Sequence, residues 1–188
     1  RTSSAGLSRV CRMNIIGKHI ALRALEPEDL DYLYHTENHP NFSLFGEPHP
    51  PYSKWLLKDY IAQAHKSIYE VQQIRLVIEH RKDHKAIGLI DLFDFDPRNK
   101  RAALGVLISD DDYRRKGFAR QAAKLIIKHA FSELGLHQVY ALVATDNDAS
   151  RGLFDSLNFE SSGVIKQWWR KDADAYQDML LFQTFKPE

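Results

Sequence analysis

Cysteine is almost missing from this chain: Cys11 is the only one in 188 residues. A single thiol can form neither an intramolecular disulfide nor a Cys-based zinc site, so a reducing, cytoplasmic setting is the expectation. Long apolar runs are missing too. No stretch approaches 18 uninterrupted apolar residues, which excludes a transmembrane helix and gives no reason to expect a membrane partner. Charge of one sign is also lacking, since 26 basic and 25 acidic side chains leave a net charge of +1. Nothing in that balance asks for nucleic acid or an anionic surface. Neither GxxxxGK[ST] nor GxGxxG occurs, which argues against a P-loop nucleotide site and a Rossmann dinucleotide site. The nine histidines are scattered, and His35, His39 and His49 show no ligand spacing, so no metal is expected.

What is present fits one soluble domain. Hydrophobic residues make up 44% and charged residues 27%, enough apolar material for a sizeable core. Residues 1–12, "RTSSAGLSRVCR", read as a leader or vector-derived segment, and residues 13–188 as a single domain. Arg1, Arg9 and Arg12 account for three positive charges, so the rest of the chain carries +1 − 3 = −2.

The pattern alternates between strand and helix. Apolar residues roughly alternate from Ile15 to Leu25, which predicts one strand, and a helical period follows at Leu30, Leu33 and Tyr34. "HPNFSLFGEPHPPY" holds four of the seven prolines and must be irregular. The stretch from Ser53 to Glu70 reads as one capped helix with Trp55, Leu56, Tyr60, Ile61, Ala64 and Ile68 toward the core. Three strands with short polar turns, "QIRLVIEH", "KAIGLIDLFDFD" and "RAALGVLIS", predict an antiparallel meander. A long helix from about Phe118 to Leu134, a strand, a helix near Asn147 and two closing strands complete an α+β fold with a mixed sheet.

The most informative stretch is "DDDYRRKGFARQAAKLII", residues 110–127. A strand enters it and an amphipathic helix leaves, so backbone N–H groups at the helix start carry a partial charge of roughly +0.5 outward. That is an anion site. Arg114, Arg115, Lys116 and Arg120 add charge, and Gly117 lacks the Cβ that would hold a phosphate off the backbone. Asp110, Asp111 and Asp112 are expected to solvate the loop.

Arg114-x-x-Gly117-x-Ala119 resembles the R/Q-x-x-G-x-G/A loop of the GNAT superfamily of N-acetyltransferases. About 28 residues later, "NDASRGLFDSLNF" resembles the second signature, N-x-x-[AS]-x-x-[LF]-[YF]-x-x-x-G-F. The resemblance runs from Met13 to about Phe185 and is nearest to the branch with ribosomal-protein alanine and spermidine acetyltransferases. It implies a largely antiparallel central sheet with a splayed parallel strand pair and flanking helices, and acetyl-CoA as cosubstrate. Val106, Leu107 and Ile108 would support the pantetheine arm. Arg114, Arg115, Lys116, Gly117, Phe118, Ala119 and Arg120 would hold the diphosphate, with Lys116 or Arg120 also reaching the 3′-phosphate. Asn147 would bond the cofactor, besides capping its helix. The acceptor would be a small amine, a polyamine or a peptide N-terminus, and the protein could form a homo-oligomer.

Two positions depart from the signature. Phe154 stands where many relatives carry a tyrosine that protonates the departing thiolate, and Asn158 replaces a glycine. Water, Tyr140 or Tyr176 would then supply the proton, and a thiol of pKa near 8.5 leaves with little help. The alternative is a CoA-binding sensor that is weak or inactive as a catalyst.

An amine of pKa near 10.4 loses roughly 4 to 5 kcal/mol in exposing its lone pair at neutral pH. A carboxylate would receive the proton. Asp91 interrupts the odd-numbered face of Ile87, Leu89, Phe93 and Phe95, and burial there needs a task or a partner such as Arg75 or Arg101. Asp91 is the first candidate base and Glu79 the second. Adjacent Trp168 and Trp169 are expected on opposite sheet faces, one of them walling the acceptor.

Overall fold

The computed structural model describes residues 15–40, 42, 50–171 and 173–188. The expected leader with Cys11, and most of the proline-rich loop with His49, lie outside the described residues. The strands are β1 (Ile15–Ile16), β2 (Ile20–Ala24), β3 (Ile74–His80), β4 (Lys85–Asp96), β5 (Arg101–Ile108), β6 (Gln138–Ala144), β7 (Glu160–Arg170) and β8 (Tyr176–Phe185). The helices are α1 (Leu30–Glu37), α2 (Lys54–Gln63), α3 (Ile68–Val71), α4 (Phe118–Ser132) and α5 (Asp148–Ser156). All eight strands join one sheet in the order β1-β2-β3-β4-β5-β6-β8-β7. Every pairing is antiparallel except β5 with β6.

The two sheet faces carry separate cores. On one, α4 lays Ala122, Ala123, Ile126 and Ala130 against Ile78, Ile90, Leu104, Val139 and Phe182. Small residues at this helical spacing let the helix axis approach the sheet closely. On the other, α1 and α2 pack Leu33, Leu57 and Ile61 over Leu25, Val77 and Leu89.

Five expectations change. The strand over residues 15–25 is a hairpin: Gly17 N–H donates to Ile20 O at 2.9 Å, and β1 folds back on β2. The helix from Ser53 ends at Gln63 and restarts as α3, because Ser67 and Glu70 form a capping box that starts a new helix. Ser53 caps α2 as expected, accepting from Leu56 N–H at 3.2 Å, but Trp55 is 78% exposed and the buried stripe is Leu57 and Ile61. In β4 the odd-numbered residues do not share a face. Bulges between Ile78 and Glu79, and around Asp94 with φ 48°, shift the alternation, so Ile87 and Phe95 join the α4 core while Leu89 faces α1 and α2. A further bulge, from Ile165 to Trp169, removes the simple alternation of the two indoles and leaves Trp168 60% exposed.

His129 in α4 has a buried Nε2 without a hydrogen-bond partner among the described residues. Burial lowers its pKa below the ordinary 6.5. The unfolded chain therefore takes up this proton more readily, so the contribution of His129 to stability is whole above pH 6.5 and shrinks as pH falls through the folded value. His129→Gln should flatten the fall of the urea midpoint between about pH 7 and 5. An acid limb identical to the parent's would remove this assignment.

Candidate active site

The sheet opens where β5 and β6 part. They pair only at Arg101↔Gln138, Ala102↔Val139 and Ala103↔Tyr140, while β5 stays paired with β4 as far as Ile108. From Leu104 onward the β5 edge facing β6 therefore has backbone groups with no strand partner, and such groups demand one. Val106 and Ile108 point their side chains toward the α4 core, and Leu107 pairs with Leu89 on the opposite face. Side-chain packing and backbone recognition can coexist on this strand.

The loop after β5 aims the start of α4 at the same opening. Arg115 and Gly117 both have left-handed backbones, with φ 57° and 80°. The first N–H groups of the 15-residue α4 follow directly, at Phe118, Ala119 and Arg120, without intrahelical acceptors. A Cβ on Gly117 would meet no protein atom within 4 Å. The protein leaves that space free, and the glycine is set by its backbone angle.

The basic side chains divide into two kinds. Arg114 is committed to the loop: Nε donates to Ile108 O at 2.9 Å, Nη1 lies 2.7 Å from Asp111, and the guanidinium sits 5.2 Å from the Phe42 ring centre. Arg120 is committed to α5, donating to Ser156 O at 3.1 and 3.3 Å. Arg115 and Lys116 are exposed and form no ion pair among the described residues. The acids do more than solvate. Asp110 pairs with Lys85 at 2.6 Å and accepts from Asp112 N–H at 3.0 Å, and the Lys85 bond holds its carboxyl below the usual range. Tyr32 of α1 bonds Ser109 at 2.6 Å, tying the α1 layer to the end of β5.

Asn147 stands at the head of α5, its side chain accepting from Ser150 N–H at 3.0 Å. Phe154 is buried against Phe159 and Phe182 with ring centres 5.0 and 5.8 Å away. Tyr140 lies at the fork itself, opposite Ala103, and burial raises its pKa. Tyr176 is 57% exposed on the β7–β8 hairpin.

The two candidate bases part company. Asp91 is 3% exposed on β4, directly opposite Gly105 of β5 and Arg75 of β3. Arg75 takes both its oxygens, at 2.7 and 3.1 Å, and spends its remaining nitrogen on Glu37 at 2.5 Å. Arg101 pairs with Asp96 instead. Glu79 lies two strands from β5, bonded to Arg23 at 2.5 Å, and the structure does not bring it to the opening. Sequence reasoning named Arg75 as a partner but missed Glu37, because nothing local in the sequence says where the end of α1 will land.

Residues 19–160 match the family described as the acetyltransferase (GNAT) domain. The spermidine N(1)-acetyltransferase of Escherichia coli K12 is 30% identical over 148 residues, which are 78% of this chain and 75% of that one. The spermidine N-acetyltransferase of Vibrio cholerae, solved with CoA and spermine, superposes with a TM-score of 0.78 at 24% identity over 90% of this chain and 97% of that one. The ribosomal-protein-S5-alanine acetyltransferase of Vibrio fischeri does so with a TM-score of 0.77 at 19% identity, covering 93% and 97%. These last two likenesses speak for the fold. With a strand pair that splays beside a glycine-capped helix, and with a family match over most of its length, the chain belongs to the GNAT family of acetyltransferases.

Proposed function

We propose that this protein transfers an acetyl group from acetyl-CoA directly to a primary amine, in a cytoplasmic setting. The observation that carries this reading is the unpaired edge of β5 from Leu104 to Ile108, lying next to the amide-rich start of α4. The pantetheine arm runs along Val106, Leu107 and Ile108 in place of the missing strand partner. Its diphosphate rests on the N–H groups from Gly117 to Arg120, with Arg115 and Lys116 supplying mobile charge. Arg114 and Arg120 shape the loop from the sides to which they are bonded. Asn147 contributes from the α5 side of the opening.

The amine attacks the thioester carbonyl, the new C–N bond forms as the C–S bond breaks, and a backbone N–H near Leu107 or Ile108 receives the developing oxyanion. Asp91 accepts the amine proton directly or through water. Its ion pair with Arg75 does not exhaust it, since each carboxylate oxygen has a further lone pair. The thiolate takes its proton from water or from Tyr140 at the fork. The exposed Val164, Trp168 and Tyr176 suit a homo-oligomer.

Thiol release from acetyl-CoA across small amines, polyamines and peptides tests the reading. Saturable CoA release with at least one amine is expected. Asp91→Asn should lower kcat/KM about 100-fold, with the KM for acetyl-CoA unchanged. An unchanged rate would dismiss Asp91. The buried Phe154 favours one second reading, a CoA-binding sensor, which requires tight CoA binding with no release for any amine.

A further inference from the structure

A groove of about 470 Å³ lies on the α1 face of the sheet, between the β1–β2 hairpin and the β3–β4 turn. One wall carries Lys18, His19 and Arg23, and the other Arg81, Lys82 and His84. Glu79 is the only carboxylate in the lining, and Arg23 already holds it. Arg23 is balanced further by Asp29, which it meets at 2.7 and 2.9 Å. The other three cations, Lys18, Arg81 and Lys82, form no ion pair among the described residues, although the charge of Lys82 is felt by the neighbouring Asp83. Arg81 is held in place without being neutralised, donating through Nη1 to Gly17 O at 2.9 Å and Lys18 O at 3.1 Å. Three cations without an ion pair around one small concavity, one of them fixed by backbone carbonyls, make an arrangement that an anion of two or more charges relieves.

The same turn touches the cofactor loop from its other side. Asp83 accepts from the Tyr113 hydroxyl at 2.5 Å, and the His80 ring packs 5.1 Å from Tyr113 and 5.2 Å from Phe118, the first residue of α4. Residues 80–84 therefore line the groove with His80, Arg81, Lys82 and His84, and reach the loop before α4 with the His80 ring and the Asp83 carboxylate.

We propose that this groove is a second anion site, taking a phosphate-bearing small molecule, and that its occupancy is felt at the cofactor loop through the β3–β4 turn. The coupling half of this inference rests on the acetyl-CoA reading, while the binding half does not. Lys18 and Lys82 supply charge at opposite walls, and Arg81 supplies the oriented donor.

Inorganic pyrophosphate is the probe, titrated calorimetrically into protein already saturated with CoA so that the loop before α4 is occupied. Saturable binding is expected, at least tenfold weaker in the double variant Lys18→Glu, Lys82→Glu, whose side chains make no hydrogen bond among the described residues and whose replacement leaves the fold intact by thermal melting. Because pyrophosphate can also compete for the loop, coupling is read from the preformed CoA complex: pyrophosphate should change the CoA dissociation rate at least twofold in the parent and leave it unchanged in the variant. Absence of saturable binding to the CoA-loaded parent, or equal binding by parent and variant, overturns the site. Binding that the variant loses, with a CoA dissociation rate indifferent to it, overturns the coupling. Failure of CoA to bind at all overturns the acetyl-CoA reading, and pyrophosphate binding to parent against variant then decides the groove by itself.

Discussion

Arg75→Met is expected to destabilise the protein by about 3 to 5 kcal/mol, read as a lower urea midpoint with an unchanged slope. Arg75 joins three elements, bonding Asp91 of β4 and Glu37 of α1 from its place on β3, with the Tyr60 ring of α2 5.8 Å from the guanidinium. Its side chain is 12% exposed and that of Asp91 5% exposed, so removing the guanidinium leaves a carboxylate in the sheet interior with no counter-charge. The cost comes from that stranded charge more than from the pair's own attraction. Arg75→Met combined with Asp91→Leu should therefore recover most of the loss, because it removes the more buried carboxylate and leaves only Glu37, whose side chain is 20% exposed and reaches water. A double variant as unstable as the single one would show that packing around Arg75 matters and the ion pair does not. Tyr60 is placed to report on this cluster, since burial already raises its pKa and the Arg75 charge opposes that rise.

Gly117→Val should weaken CoA binding about 100-fold, equivalent to about 2.7 kcal/mol, while leaving the melting temperature far less affected. The backbone at Gly117 has φ 80°, where a β-branched residue is strained by roughly 1–2 kcal/mol. The added side chain meets no protein atom near its Cβ, so it projects into the space that the proposed diphosphate site requires. Gly117→Ala should fall between the two. Calorimetric titration with CoA decides the matter: a Kd within twofold of the parent's for Gly117→Val would remove the loop from the cofactor site.

The readable parts of this protein were those whose cause is local. Ser53 and Asn147 cap their helices because a side-chain oxygen two or three residues before a free N–H is a short-range fact. The glycine in Arg114-x-x-Gly117-x-Ala119 marks a left-handed turn before a helix, and the structure has it there. The capping box of Ser67 and Glu70 was equally local and was overlooked, since an unbroken apolar period ran through it. The acids of the loop were underestimated because Lys85, the partner of Asp110, is 25 positions away in the sequence.

Sequence by itself determined the order of the elements, the amide-rich turn before α4 and the family to which the chain belongs, because each depends on residues a few positions apart or on a pattern spread along the chain. Only the tertiary structure decided where charge is spent. Arg75 rather than Arg101 holds Asp91, Glu79 faces a basic groove two strands from β5, Arg114 braces the loop, and Arg120 bonds the end of α5. Bulges in β4 and β7 reset which side chains share a face, and the end of α1 places Glu37 beside Arg75. An ion pair is made by proximity in space, and strand register and helix landing fix that proximity through packing across the whole sheet.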